Sequence, residues 1–132
     1  MSRFAHAAAA ALIAAAALGP LSAASAAPSQ PGARSCFFVT QWRGWKSPSP
    51  RVLYLGVNNH DVYQVDLAAD APELKWGDMR LISHMRGTSV CSHLDLDLKV
   101  SDSHGFASPL FPRAMRKLTP EEVAAIPLRD RP

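Results

Sequence analysis

Leu94, Leu96, Leu98 and Val100 alternate with Asp95, Asp97 and Lys99, and no other stretch of the chain points so plainly to one geometry. A period of two places the apolar side chains on one face of a β-strand and the charged ones on the other, so one face is core and the other is wet. The remaining segments follow suit. Cys36 to Trp42, Arg51 to Val57, Val62 to Leu67 and Met79 to Met85 are short apolar or aromatic runs bounded by turn formers, and each is expected to be a strand. Ser47-Pro48-Ser49-Pro50 marks a turn, and Asn58-Asn59-His60-Asp61 is hairpin chemistry, because Asn tolerates left-handed backbone angles. Asp70 to Leu74 is a crossing loop with at most a turn of helix. Asp102 to Gly105 is a turn, and Ala107 to Met115 is an edge strand, since Pro109 and Pro112 each remove a ladder donor.

Only one helix start is complete. Thr119 is a good N-cap, Pro120 fits the first helical position, and Glu122 stands where a capping box needs it. The helix should run from Pro120 to Ala125 and stop before Pro127, leaving 128–132 as a disordered tail. The expected fold is mainly β: a small antiparallel sheet curled into a barrel-like or sandwich domain with one short C-terminal helix.

How much of the chain enters that domain depends on its start. Arg3, an apolar run from Ala7 to Leu18, the breaker Gly19-Pro20 and the small residues Ala24-Ser25-Ala26 have the order of a secretory signal peptide. The apolar run is about a dozen residues, short of the roughly 20 that span a bilayer, so no permanent anchor is expected. Cleavage after Ala26, with Ala23 as the nearby alternative, would leave 106 residues, enough for one domain but not two. Residues 1–26 are thus assigned to the signal peptide, 27–35 to a flexible leader rich in Pro, Gly and Ser, and 36–127 to a single β-rich domain. The destination is periplasmic or extracellular.

Past the expected cleavage site, from Ala27 on, thirteen basic and eleven acidic side chains leave a net charge of only +2. Basic residues are scattered, apart from Arg113, Arg116 and Lys117, and none alternate with aromatics, which argues against nucleic-acid binding. Cys36 and Cys91 are the only cysteines, and an oxidising compartment favours their closure into one intramolecular bridge. The alternative is two free thiols in ordinary packing roles.

Candidate chemistry is sparse. His93, Asp95 and Asp97 fall at alternate positions, so they share the polar face of their strand and offer an imidazole and two carboxylates to a metal, joined by His84 or His104 from elsewhere. Successive groups would stand about 7 Å apart, too far for all three to ligate without bending, and a solvated face accounts for the same residues. His60-Asp61 lies in a hairpin turn. Ser92 and His93 would point to opposite faces, and neither a nucleophile elbow, a phosphate loop nor a Cys-x-x-Cys pair is present. Trp42, Trp45, Trp76, Tyr54 and Tyr63 could form a stacking platform for a sugar or peptide, but a domain this small needs large aromatics for its core.

Cys36-Phe37-Phe38, Trp42-Arg43, Val52-Leu53-Tyr54-Leu55, Val62 to Leu67, Arg86 to Ser92, Leu94-Asp95 and Leu118 to Pro127 together carry a resemblance. In these motifs the chain resembles a family of small exported bacterial proteins known only as a domain of unknown function. Family members tend to carry four cysteines, and the second and fourth positions correspond here to Ala71 and Leu110. Their joint absence implies that those two were bonded to each other, leaving Cys36 to pair with Cys91. The resemblance supplies no reaction and no ligand. The expectation is an exported domain with a structural or binding role rather than catalysis, without cofactor, its partner an envelope protein if it has one. The alternative is an envelope protein that binds a metal or small ligand through His93, Asp95 and another histidine.

Overall fold

Ser35 opens the part of the chain that can be described, its hydroxyl 2.9 Å from that of Tyr63, in a computed structural model that describes residues 35–132. The expected signal peptide, 1–26, and most of the expected leader, 27–35, lie outside the described residues. Strand β1 (Phe37–Phe38) leads through a 3-10 turn into β2 (Trp42–Ser49), followed by β3 (Val52–Val57) and β4 (Asp61–Leu67). A 3-10 turn at Pro72–Lys75 precedes β5 (Arg80–Met85) and β6 (Ser89–Val90). Another at His93–Asp95 leads to β7 (Leu96–Ser101), β8 (Ala107–Leu110) and β9 (Pro112–Lys117). Helix α1 (Pro120–Ala125) and a last 3-10 turn at Leu128–Asp130 complete the chain.

The protein is mainly β. Among the described residues the strands form three antiparallel sheets, ordered β2-β3-β4-β9, β5-β7-β8 and β1-β6, and none closes into a barrel. Alternation explains the core. Leu53 and Leu55 of β3, Val65 and Leu67 of β4, and Leu96, Leu98 and Val100 of β7 bury their side chains in one cluster with Phe37, Val90 and Leu110. A smaller cluster joins Val62 of β4 to Leu118 and Ile126 at the two ends of α1. Cys36 and Cys91 are bonded to each other just beyond the Phe37 and Val90 pair, so the bridge staples the two-stranded ribbon whose ends are both in the core.

The β3–β4 hairpin forms where expected, although β3 starts one residue later, at Val52, and β4 one residue earlier, at Asp61, and its turn uses Asn58 at φ 53°, the left-handed geometry for which Asn is suited. Gly105, at φ 91°, does the same for the β7–β8 turn. Four expectations need correction. The first strand stops at Phe38, and the chain then forms β2 straight through Ser47-Pro48-Ser49, turning only at Pro50-Arg51. Pro48 is tolerated because β2 lies at a sheet edge and its pairing with β3 is interrupted by bulges. The alternating strand begins at Leu96 rather than Leu94, whose side chain is 71% exposed. Ala107 to Met115 is two edge strands in two different sheets, divided at Phe111, where the backbone leaves β7 and joins β4.

The fourth correction concerns the C-terminus. Residues 128–132 are not a loose tail. Arg131 donates from Nη2 to the carbonyls of Ala124 (3.2 Å) and Ile126 (3.0 Å), at the negative end of α1. Pro132 lies against Gly56, so closely that a Cβ added there would come within 3.3 Å of the Pro132 Cβ. Helix α1 itself starts as expected: Thr119 Oγ1 accepts from the Glu122 N–H at 3.3 Å, and Glu122 Oε2 accepts from the Thr119 N–H at 2.8 Å.

Candidate functional site

The residues singled out for a metal do not share a face. His93 and Asp95 belong to a 3-10 turn, and only Asp97 lies on β7, where it stands opposite His84 of β5. Ser92 causes the difference. Its hydroxyl accepts from the Leu94 N–H at 3.2 Å, while Asp95 Oδ2 turns back to accept from the N–H groups of Cys91 and Ser92, both at 2.9 Å. Those backbone donors hold the Asp95 carboxyl below its ordinary value, helped by the Ser92 hydroxyl and the charge of Arg86. The carboxylate is committed to folding the segment after the disulfide. His104 sits in the β7–β8 turn with Nδ1 3.8 Å from Asp102 Oδ2. Among the described residues no group of three His, Cys, Asp or Glu side chains is placed to hold a metal ion. His60 lies in the β3–β4 turn and Asp61 pairs with Lys117 Nζ at 2.8 Å.

The aromatic residues divide more informatively. Tyr63 is buried with its ring centroid 4.7 Å from that of Phe37. Trp42 and Trp45 pack against the main core, the indole N–H of Trp42 donating to the Gly44 carbonyl at 2.7 Å, and Tyr54 packs on the smaller cluster. Trp76 does not follow them. In the Pro72–Lys75 turn, Leu74 is the residue that enters the core, and two residues later the chain has rotated so that Trp76 is left 59% exposed. Composition gives no warning of this, although the polar setting of Lys75, Gly77 and Asp78 does mark the position as a loop.

Trp76 forms a ridge between two concavities. One, about 400 Å³, is bordered by Lys46, Lys75, Arg129 and Asp130. The other, about 160 Å³, is bordered by Glu73, Met79, Asp102 and Phe106, the last 79% exposed. Phe106 is held there by Asp102, whose Oδ1 accepts from the N–H groups of His104 (2.9 Å) and Phe106 (3.0 Å). Lys75 is fixed on its own side of the ridge by bonds from Nζ to the carbonyls of Ser47 (2.8 Å) and Pro48 (3.4 Å). A third concavity, about 240 Å³, lies over the β3–β4 turn between Arg43, His60 and Arg131.

The fold and this surface define a small antiparallel β domain, closed by one disulfide, that displays a tryptophan ridge with charge of opposite sign on its two flanks. No family model, no curated protein and no solved structure matches the chain. No described helix is long and apolar enough to cross a membrane.

Proposed function

We propose that this chain is an exported, periplasmic or secreted domain that acts by binding rather than by catalysis, and that the Trp76 ridge is its contact surface. Trp76 carries the reading: the other tryptophans and both tyrosines are packed, whereas this indole is spent on solvent between two concavities. An exposed aromatic ring offers large contact area at little cost in side-chain entropy, and tryptophan is enriched among residues that dominate binding energy. A bonded cysteine pair fits an oxidising compartment, as do the leader-like N-terminus and the resemblance to small exported bacterial proteins. The sheet β2-β3-β4-β9 and the sheet β5-β7-β8 supply apolar faces to one core, which supports a sandwich-like packing for the domain.

The test is to produce the full chain in a bacterium and weigh the protein recovered from the periplasm without reductant. A mass equal to residues 27–132 less two hydrogens, inert to alkylation when denatured, is expected. An uncleaved chain, or one with two alkylated thiols, would refute the export reading. Replacing Trp76 with Ser should leave the fold unchanged and abolish spectral perturbation by any ligand that binds the wild type; a ligand perturbing both forms equally would refute the ridge.

A further inference from the structure

The smaller concavity beside Trp76 combines aromatic and acidic residues. It is bordered by two aromatic residues, Trp76 and Phe106, and two acidic ones, Glu73 and Asp102, together with Met79, Val100 and Ser108, and no Lys, Arg or His is in its lining. We infer that it takes the cationic side chain of a lysine or arginine presented by a basic segment of a protein partner. The inference rests on the ridge proposed above and names the chemistry that the ridge recognises.

Cations bind over aromatic faces because the ring quadrupole is negative there, and a carboxylate at the rim adds direct charge attraction. Glu73 is half-buried and its carboxylate has no hydrogen-bond or ion-pair partner among the described residues. Asp102 spends Oδ1 on the turn that presents Phe106, and its Oδ2 has only His104 near, at 3.8 Å. The acidic flank therefore carries negative charge that the fold leaves largely uncompensated. The opposite flank, where Asp130 pairs with Arg129 and Lys46 and Lys75 leave a positive excess, disfavours a cation, so the ridge sorts charge to one side.

Size decides between a free cation and a side chain. Pockets for whole small molecules run to about 300–1,000 Å³, whereas this one is about 160 Å³, room for one long side chain. The exposed faces of Trp76 and Phe106 extend the apolar surface beyond the concavity, and a polypeptide bearing the cation would cover them where a lone ammonium ion would not.

The probe is an acetylated, amidated hexapeptide alternating Lys and Gly, titrated into the ¹⁵N-labelled oxidised protein. The readouts are the Trp76 indole N–H, identified by its loss in Trp76→Leu, and the Phe106 amide. Saturable shifts confined to these signals and their neighbours are expected, weakened about threefold in Glu73→Gln and again about threefold in Trp76→Leu, the latter read at Phe106. A norleucine-for-lysine peptide should bind at least tenfold more weakly. Equal binding of the norleucine peptide would overturn the cation assignment while leaving an apolar ridge. Saturation by tetramethylammonium at the same concentration as the lysine peptide would overturn the polypeptide partner. Equal affinity in Glu73→Gln would overturn the role of the acidic flank, and no shift at all would overturn the site.

Discussion

Removing the Cys36–Cys91 bridge tests how the domain is held together. The cysteines are 55 residues apart in sequence, and loop closure over that length restrains the unfolded chain by about 4 kcal/mol in the chain-entropy model. The folded state should lose little. Phe37 and Val90, paired next to the bridge, are 3% and 0% exposed, and Asp95 still ties the N–H groups of Cys91 and Ser92, so the ribbon keeps its register without the bond. A Cys36→Ala/Cys91→Ala chain, compared with the oxidised protein in urea, should therefore be destabilised by about 4 kcal/mol, a midpoint shift of about 2–4 M for the slope usual in a domain this size. Its amide spectrum should stay native outside the ribbon. The slope should rise slightly, because the unlinked unfolded chain is less compact. A loss under about 1 kcal/mol would refute the reasoning, and so would a spectrum collapsed throughout the β3–β4 hairpin.

Acid should loosen α1 before the core. Glu122 is held below its ordinary value, first by the Thr119 N–H and then by Arg116, so its stabilisation is complete above the unfolded value near 4.5 and disappears as pH falls through the lower folded one. Thr119→Ala should cost about 1 kcal/mol in chemical denaturation at pH 7. Asp95→Asn should raise hydrogen exchange at the Cys91 and Ser92 amides at neutral pH, and in the wild type the same amides should lose protection only below about pH 4, since that carboxyl too is lowered from 3.8. Gly56→Leu fills the space taken by Pro132 and should expose 127–132 to carboxypeptidase while the circular dichroism of the sheets is retained.

Local chemistry was the legible part of this chain. Thr119, Pro120 and Glu122 specify a helix start by hydrogen bonds within four residues, and the Asn58 turn fixes a hairpin whose two strands alternate on their own account. What escaped depends on partners distant in sequence. Whether Pro48 ends a strand is decided by whether that strand has a neighbour on its far side, and β2 has none among the described residues. Phe111 parts β8 from β9 because β7 and β4 claim the two halves, which nothing in the proline spacing encodes. Arg131 and Pro132 are ordered by the carbonyls of α1 and by Gly56, some 75 residues back. One miss did have a signal. Ser92-His93-Leu94-Asp95 fits the Ser-x-x-Asp capping pattern, and it competes with the alternation that runs through the same leucines. The caps win at Leu94 because two backbone N–H groups are satisfied by one carboxylate there, while burial takes over from Leu96. Trp76 is one of the large aromatics that a core of this size is expected to need, and the core forms without it.

Phe111 is also where the domain is least able to change length. A single residue separates Leu110, buried in the main core, from Pro112, which pairs with Leu67. One inserted residue would turn every side chain of β9 to the opposite face, or force β8 to slip against β7 by the same step. Insertions at the exposed tip of the β7–β8 turn, Ser103 to Gly105, would leave the register of β9 on β4 untouched, at the cost of the Asp102 bonds to His104 and Phe106. Length variation in chains built on this plan should therefore collect in the turns and stop at this corner, so that the spacing from the β8 apolar residue to the α1 cap is a measure of common architecture even where side-chain identity is lost.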